Sequence, residues 1–146
     1  MKANELRIGN SVMLSEDGTI FTVDSIEEKG LVVQNEEETA WIELEEFEPI
    51  PITEEWLLEV GFEIKDQLSV YKTKVYYISG IDVDYYIYFA DFRQDFGFYI
   101  EYTDSPFDKD LGVLYPITFG IKYVHQLQNL YFTLTDEELT YGENKQ

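Results

Sequence analysis

The chain has 146 residues, 30 of them acidic and 10 basic, which gives a formal net charge of −20 and a pI of about 4.1. This charge disfavours direct binding to nucleic acid or to anionic membranes, and it favours basic partners. The sequence contains no cysteine, which excludes disulfides, thiol catalysis and cysteine-ligated zinc. The first residues lack an apolar signal segment and no apolar run could span a bilayer, so we expect a cytoplasmic protein.

Residues 1–50 show the pattern of short β-strands separated by tight turns. Apolar runs flank the Asp17-Gly18 pair, a strong hairpin signal, and another run follows Gly30. The segment 39–44 alternates between two faces, with Trp41 and Glu43 on one of them. We therefore predict a small SH3-like β-barrel, with the acidic run Glu36, Glu37 and Glu38 in one of its turns.

A short linking helix is predicted at 54–60, after the prolines that close the barrel. Thr53 is suited to the N-cap, and Gly61 is suited to a left-handed stop after the last turn. Trp56, Leu57 and Val60 would form the buried face.

An antiparallel sheet rich in aromatic residues is predicted between 68 and 102. Its strands cover 68–72, 75–79, 83–90 and 96–102. Alternation in the third strand places Tyr86 and Tyr88 on one face, which we interpret either as a partly exposed binding surface or as ordinary buried sheet.

The most distinctive helical pattern runs from 119 to 134 and follows a loop predicted at 103–116. The apolar stripe formed by Tyr123, Leu127, Leu130 and Leu134 predicts a helix packed on the aromatic sheet. We therefore expect two parts, an SH3-like barrel at 1–50 and one compact unit at 51–146, in an α+β fold. Opposite the stripe lies a polar strip, a candidate partner contact, formed by Lys122, His125, Asn129 and Thr133.

No residue pattern predicts catalytic chemistry, a cofactor or a metal. His125 is the sole histidine, and no nucleophile motif accompanies it. Asp104, Asp108 and Asp110 lack the spacing and the distal glutamate of an EF-hand. We therefore predict a protein that is not an enzyme.

Three blocks carry a family resemblance: ELRIGN at 5–10, PITEEWLLEVGF at 51–62 and YVHQLQNLYF at 123–132. In these blocks the chain resembles a family of short uncharacterised proteins from Bacteroidetes genomes and their phages or prophages. The resemblance implies the cytoplasm of a bacterial host as the setting. It implies no mechanism and no site residue.

Charge and aromatic content favour an interaction protein, and the resemblance implies that it belongs to a bacterial mobile element or phage. Its partner would be a host or phage protein with a basic surface, and the carboxylates could act as a nucleic-acid mimic. The candidate contact residues are Lys122, His125, Asn129, Tyr86, Tyr88, Glu36, Glu37 and Glu38. The alternative is a small-ligand-binding domain with a pocket lined by tyrosine and His125 between the sheet and the helix.

Overall fold

A computed structural model describes residues 1–65, 75–80, 83–90, 95–102 and 114–141, and for residues 65, 88–90, 100–102, 114–116 and 119 it describes the backbone only. The chain forms two compact units. Unit 1 comprises Met1–Trp56 and Tyr123–Gln146, and unit 2 comprises Leu57–Lys122. Both are built on antiparallel sheets, which confirms the α+β class.

Unit 1 contains a five-stranded sheet that curls into a half-barrel. The order of its strands is β4-β3-β2-β1-β5, so β4 and β5 are the edges. The four longer strands agree with the predicted apolar runs to within a few residues. The bounds are β1 Ser11–Leu14, β2 Ile20–Ile26, β3 Gly30–Gln34, β4 Thr39–Glu43 and β5 Phe47–Glu48.

One face of this sheet forms the core of unit 1, because side chains alternate across a strand. In β2, Phe21 and Val23 are buried whereas Thr22 and Asp24 are exposed. The buried side chains make one apolar cluster, formed by Leu6, Val12, Phe21, Val23, Leu31, Val33 and Phe47.

Helix α1, Glu54–Glu59, has the predicted signals at both ends. The Thr53 hydroxyl accepts a hydrogen bond from the Trp56 N–H at 3.3 Å. Gly61 adopts φ +102°, and the Phe62 N–H donates to the Leu57 carbonyl at 2.9 Å. This is the Schellman arrangement, which a glycine in the left-handed region permits without steric cost. The predicted buried face of α1 is confirmed.

Unit 2 contains the aromatic sheet, with strand order β10-β9-β8-β7-β6. Three predicted strands are confirmed almost to the residue, and the fourth, at 68–72, lies outside the described residues. Strand β6 was not predicted. The bounds are β6 Glu63–Lys65, β7 Val75–Ser79, β8 Val83–Ala90, β9 Asp95–Tyr102 and β10 Leu114–Ile121.

The predicted start of the long helix is wrong. Residues 119–121 belong to β10, which pairs with β9 through Ile121 and Phe96, and helix α2 covers Val124–Thr135. Gly120 has φ +85°, which is incompatible with a right-handed helical turn at that position. Strand β10 also occupies the end of the segment predicted as a loop at 103–116.

Helix α2 belongs to unit 1, whereas the sequence grouped it with 51–146 and with the aromatic sheet. The hydrogen bonds described for α2 explain why it belongs to unit 1. The Gln128 side chain accepts from the Ser11 N–H at 2.9 Å and donates to the Leu139 carbonyl at 2.9 Å. Asn129 accepts from the Asn10 side chain at 2.8 Å. These polar contacts fix the helix against the start of β1.

Candidate protein-binding surface

The acidic turn between β3 and β4 has a fixed conformation. The Asn35 side-chain oxygen accepts hydrogen bonds from the N–H groups of Glu37 and Glu38, both at 2.9 Å. The Asn35 N–H also donates to the Glu38 carbonyl at 3.0 Å. An asparagine at the first position commonly closes a turn in this way. Glu36, Glu37 and Glu38 are all exposed, so the sequence placed these candidate residues correctly on the surface.

Acidic side chains cover the rest of this sheet as well. Between 11 and 48 there are twelve acidic residues and one basic residue, Lys29, and all of them are exposed. Unit 1 as a whole has 19 acidic and 4 basic residues, a net charge of −15, whereas unit 2 has 11 and 6, a net charge of −5. The negative field of the chain is therefore centred on unit 1.

Trp41 supplies an aromatic surface within the acidic one. Its side chain is 48% exposed, and its Nε1–H donates to the Glu27 carboxylate at 2.8 Å. The indole lies across Gly30, where a Cβ atom would approach the ring to 2.6 Å. Because Gly30 has no side chain, the ring can lie over it, and the hydrogen bond to Glu27 holds the ring in one orientation. A fixed, half-exposed tryptophan provides contact area at little entropic cost.

The polar strip of the long helix is exposed only at its two ends, Lys122 and Thr133. His125 is only 3% exposed, and Asn129 uses its amide inside unit 1, where it also donates to the Glu5 carbonyl at 3.0 Å. Lys122 precedes the helix and is exposed. The buried face of α2 is therefore rotated from the predicted stripe, since Leu134 is 36% exposed and Gln128 is 1% exposed.

His125 is buried inside unit 1. Its ring stacks on Tyr123 with the centroids 5.9 Å apart. Burial lowers the pKa of the imidazole, Glu5 opposes this effect, and the N-terminal amine adds to it. Among the described residues, none forms a hydrogen bond with its Nδ1 atom. Within the described part of the chain, Nδ1 therefore has no orienting partner of the kind that holds the imidazole of a catalytic triad.

The structure separates the two interpretations of the third aromatic strand at Tyr86. Tyr86 is 1% exposed, and it packs with Val75, Tyr99 and Tyr77 in the core of unit 2. The side chain of Tyr88 lies outside the described atoms; its backbone pairs with Val75. At Tyr86 the side chain is therefore part of an ordinary buried sheet, the second of the two interpretations.

A cleft of about 300 Å³ lies on the outer face of the half-barrel. Ser11, Thr22 and Gln34 share a row across three neighbouring strands at its floor. Gln128 and Tyr141 complete the wall. His125 is not among the lining residues, so this cleft differs from the predicted pocket. Sequence reasoning missed both residues: Gln128 lies in the block at 123–132, to which the resemblance assigns no role, and Tyr141 belongs to no motif.

Comparisons with protein-family models, with curated proteins and with solved structures find no match to this chain. In the described part of the chain, no helix has the length and apolar character needed to cross a membrane. Nor do the described residues bring together three or more side chains able to hold a metal ion. The aspartates at 104, 108 and 110 lie outside those residues.

Proposed function

We propose that this chain is a non-enzymatic interaction protein whose unit 1 binds a basic surface on another protein. The observation that carries the proposal is the exposure of all twelve acidic residues between 11 and 48 around a fixed, half-exposed Trp41. The charge accelerates association with a basic partner, and the indole supplies contact energy once the surfaces meet.

The family resemblance supports the setting of this proposal: the cytoplasm of a bacterial host, and a protein of a mobile element or phage acting on a host or phage partner. An SH3-like arrangement of the half-barrel, with β4 and β5 as its edges, is the finer description of the fold that we propose. It agrees with five short strands joined mainly by tight turns.

Affinity purification from a Bacteroidetes lysate, followed by mass spectrometry, would test the proposal. We expect the captured proteins to be basic and their yield to fall steeply as salt is raised, since the Debye length shrinks to about 10 Å at 0.1 M. A yield that is unchanged between low and high salt would exclude an electrostatic surface.

A pair of triple variants separates the acidic turn from the total charge. Glu36→Gln/Glu37→Gln/Glu38→Gln removes three carboxylates from one turn. The control, Glu55→Gln/Asp136→Asn/Glu137→Gln, removes three exposed carboxylates that lie outside the acidic surface between 11 and 48. We expect the first triple to weaken binding of the purified partner more, as judged by calorimetry. Equal losses would assign binding to net charge alone.

Mimicry of nucleic acid is one form of this function. Carboxylates on a rigid sheet could occupy the groove in which a protein binds phosphates. If so, duplex DNA would compete with the chain for its partner in a fluorescence-polarisation assay. Independent binding of both would show that the partner uses a basic surface other than its DNA site.

The cleft favours a second candidate function, the binding of a small polar ligand. Its walls offer hydroxyl and amide groups from Ser11, Thr22 and Gln34. A ligand there would raise the melting temperature by mass action. A thermal-shift screen with polar metabolites should detect it, and Thr22→Val should abolish the shift while leaving the fold intact.

A further inference from the structure

The edge strand β4 directs half of its backbone groups away from the sheet. Its pairing with β3 is bracketed by two hydrogen bonds: Asn35 N–H to the Glu38 carbonyl, and Leu44 N–H to the Lys29 carbonyl, each 3.0 Å. In an antiparallel ladder, hydrogen-bonded and non-bonded pairs alternate. Alternation from either of these two hydrogen bonds gives the same result: within the strands, the hydrogen-bonded pairs are Val33 with Ala40 and Leu31 with Ile42.

The remaining residues of β4 therefore direct their N–H and C=O groups to the free edge. They are Thr39, Trp41 and Glu43, and all three are exposed. β4 is the last strand of its sheet, and within the described residues no strand pairs with its outer side. Natural edge strands are commonly blunted by proline, lysine or a bulge. β4 has none of these within Thr39–Glu43.

The charges around this edge determine what could pair with it. Glu36, Glu37 and Glu38 lie at one end of β4, and Glu43, Glu45 and Glu46 lie at the other. A second copy of this chain paired antiparallel on β4 would bring the acidic turn of each copy beside the acidic end of the other. Like charges placed opposite each other destabilise a pair of strands, so the edge disfavours self-association and favours a positively charged strand.

We propose that β4 accepts an extended, lysine- or arginine-rich segment of the partner protein as a sixth strand of the half-barrel. Main-chain hydrogen bonds to Thr39, Trp41 and Glu43 would provide the register, as in other complexes formed by strand addition. This inference rests on the proposed function and names the segment that the partner supplies.

The test measures the binding of a heptapeptide to the full chain. The peptide alternates lysine and valine, and its ends are acetylated and amidated. Glu43 has φ −61°, the value that proline requires, and its N–H is among those directed to the free edge. Glu43→Pro therefore removes one edge donor without breaking the pairing with β3. Glu43→Ala is the matched control, because it loses the same carboxylate and keeps the N–H.

We expect Glu43→Pro to bind the peptide about fivefold more weakly than Glu43→Ala, which corresponds to the loss of one hydrogen bond. Amide exchange measured by NMR should show new protection at Thr39, Trp41 and Glu43 when the peptide binds to the unsubstituted chain. The same peptide N-methylated at alternate residues keeps its charge but loses the donors on one edge, and it should bind more weakly.

The possible outcomes separate this inference from the proposed function. Salt-sensitive binding that is equal for Glu43→Pro and Glu43→Ala would overturn strand addition and leave the acidic surface standing. No binding at low salt, or equal binding of an alternating glutamate–valine peptide, would overturn both. Dimerisation of the chain alone in sedimentation experiments, abolished by Glu43→Pro, would assign the edge to a second copy and also overturn the inference.

Discussion

The two units use similar sheets in opposite ways. Each sheet has five strands that are all antiparallel to their neighbours in space. In unit 1, β2 alternates between buried and exposed side chains, whereas in unit 2 the consecutive residues Tyr85, Tyr86 and Ile87 of β8 are all buried. Alternation is typical of a sheet with one solvated face, and continuous burial is typical of a sheet covered on both faces.

Aromatic residues therefore mean different things in the two units. Tyr86 and Tyr99 are core residues of unit 2, and Tyr85 packs on Phe98 with ring centroids 6.0 Å apart. Trp41 of unit 1 stands half-exposed among carboxylates. The binding surface that we propose lies on the sheet that is poorer in aromatic residues, because exposure rather than abundance makes an aromatic side chain available to a partner.

Paired truncations of Tyr86 and Trp41 should give the largest contrast. Tyr86→Ala removes a ring that is 1% exposed, and we expect a loss of about 3–5 kcal/mol in the free energy of unfolding. Trp41→Ala should cost less than about 1 kcal/mol, yet weaken partner binding. Chemical denaturation and calorimetry would measure the two effects. A stability loss of similar size for both would contradict the distinction between the units.

Truncation of Gln128 tests the polar attachment of α2 to the sheet of unit 1. Gln128→Ala leaves the Ser11 N–H and the Leu139 carbonyl without partners at a site that is 1% exposed, so we expect a loss of about 2–4 kcal/mol. Gln34→Ala, the same truncation at an exposed position of β3, is the control and should change stability by less than about 0.5 kcal/mol. Both tryptophans lie in unit 1, so fluorescence follows this unit directly.

Asp136 offers a smaller, stabilising change. It ends α2 in the left-handed region at φ +59°, and its N–H donates to the Phe132 carbonyl at 2.8 Å. Asp136→Gly keeps this hydrogen bond and relieves the steric cost, so we expect a gain of about 0.5–1 kcal/mol. Asp136→Ala is the control, because it removes the charge but keeps a Cβ atom in the left-handed region. We expect it not to stabilise the folded chain. The melting temperatures of the two variants would decide.

The last prediction concerns the pH dependence of stability. Burial lowers the pKa of His125 in the folded chain, with Glu5 opposing the shift, so the unfolded chain binds the proton more readily. The contribution of His125 to the free energy of unfolding is therefore fully present above the ordinary pKa of 6.5. It decreases as the pH falls below that value towards the pKa of the folded chain. His125→Phe keeps the stack on Tyr123 and should remove this component. Urea midpoints that show the same decrease between pH 7 and 5.5 in both proteins would refute the assignment.

Local signals predicted the local structure well. The hairpin at Asp17-Gly18, the stop at Gly61 and the bounds of β7 and β8 follow from residues close together in sequence. These features depend on backbone conformations that glycine or alternation determines by itself. The acidic turn at Glu36, Glu37 and Glu38 was correctly placed on the surface for the same reason.

The errors occurred where distant residues decide burial. Periodicity placed His125 and Asn129 on the polar side of the helix, because it does not show that Asn10 and the Glu5 carbonyl satisfy the amide of Asn129. The same limit applies to Tyr86, since alternation does not show whether a second face is covered. The free edge of β4 was equally hidden, because the order of strands in a sheet depends on long-range pairing.

The contact between α2 and the start of β1 has a consequence for the order of events during synthesis. Gln128 and Ser11 are 117 residues apart, and Asn129 and Asn10 are 119 apart. A ribosome that adds about 5–20 residues per second therefore releases the half-barrel several seconds before the helix that completes it. Residues 57–122, which form unit 2, emerge in the interval. The unit that begins the chain is thus the last to be finished, and until then its apolar and polar helix-binding positions are open to chaperones.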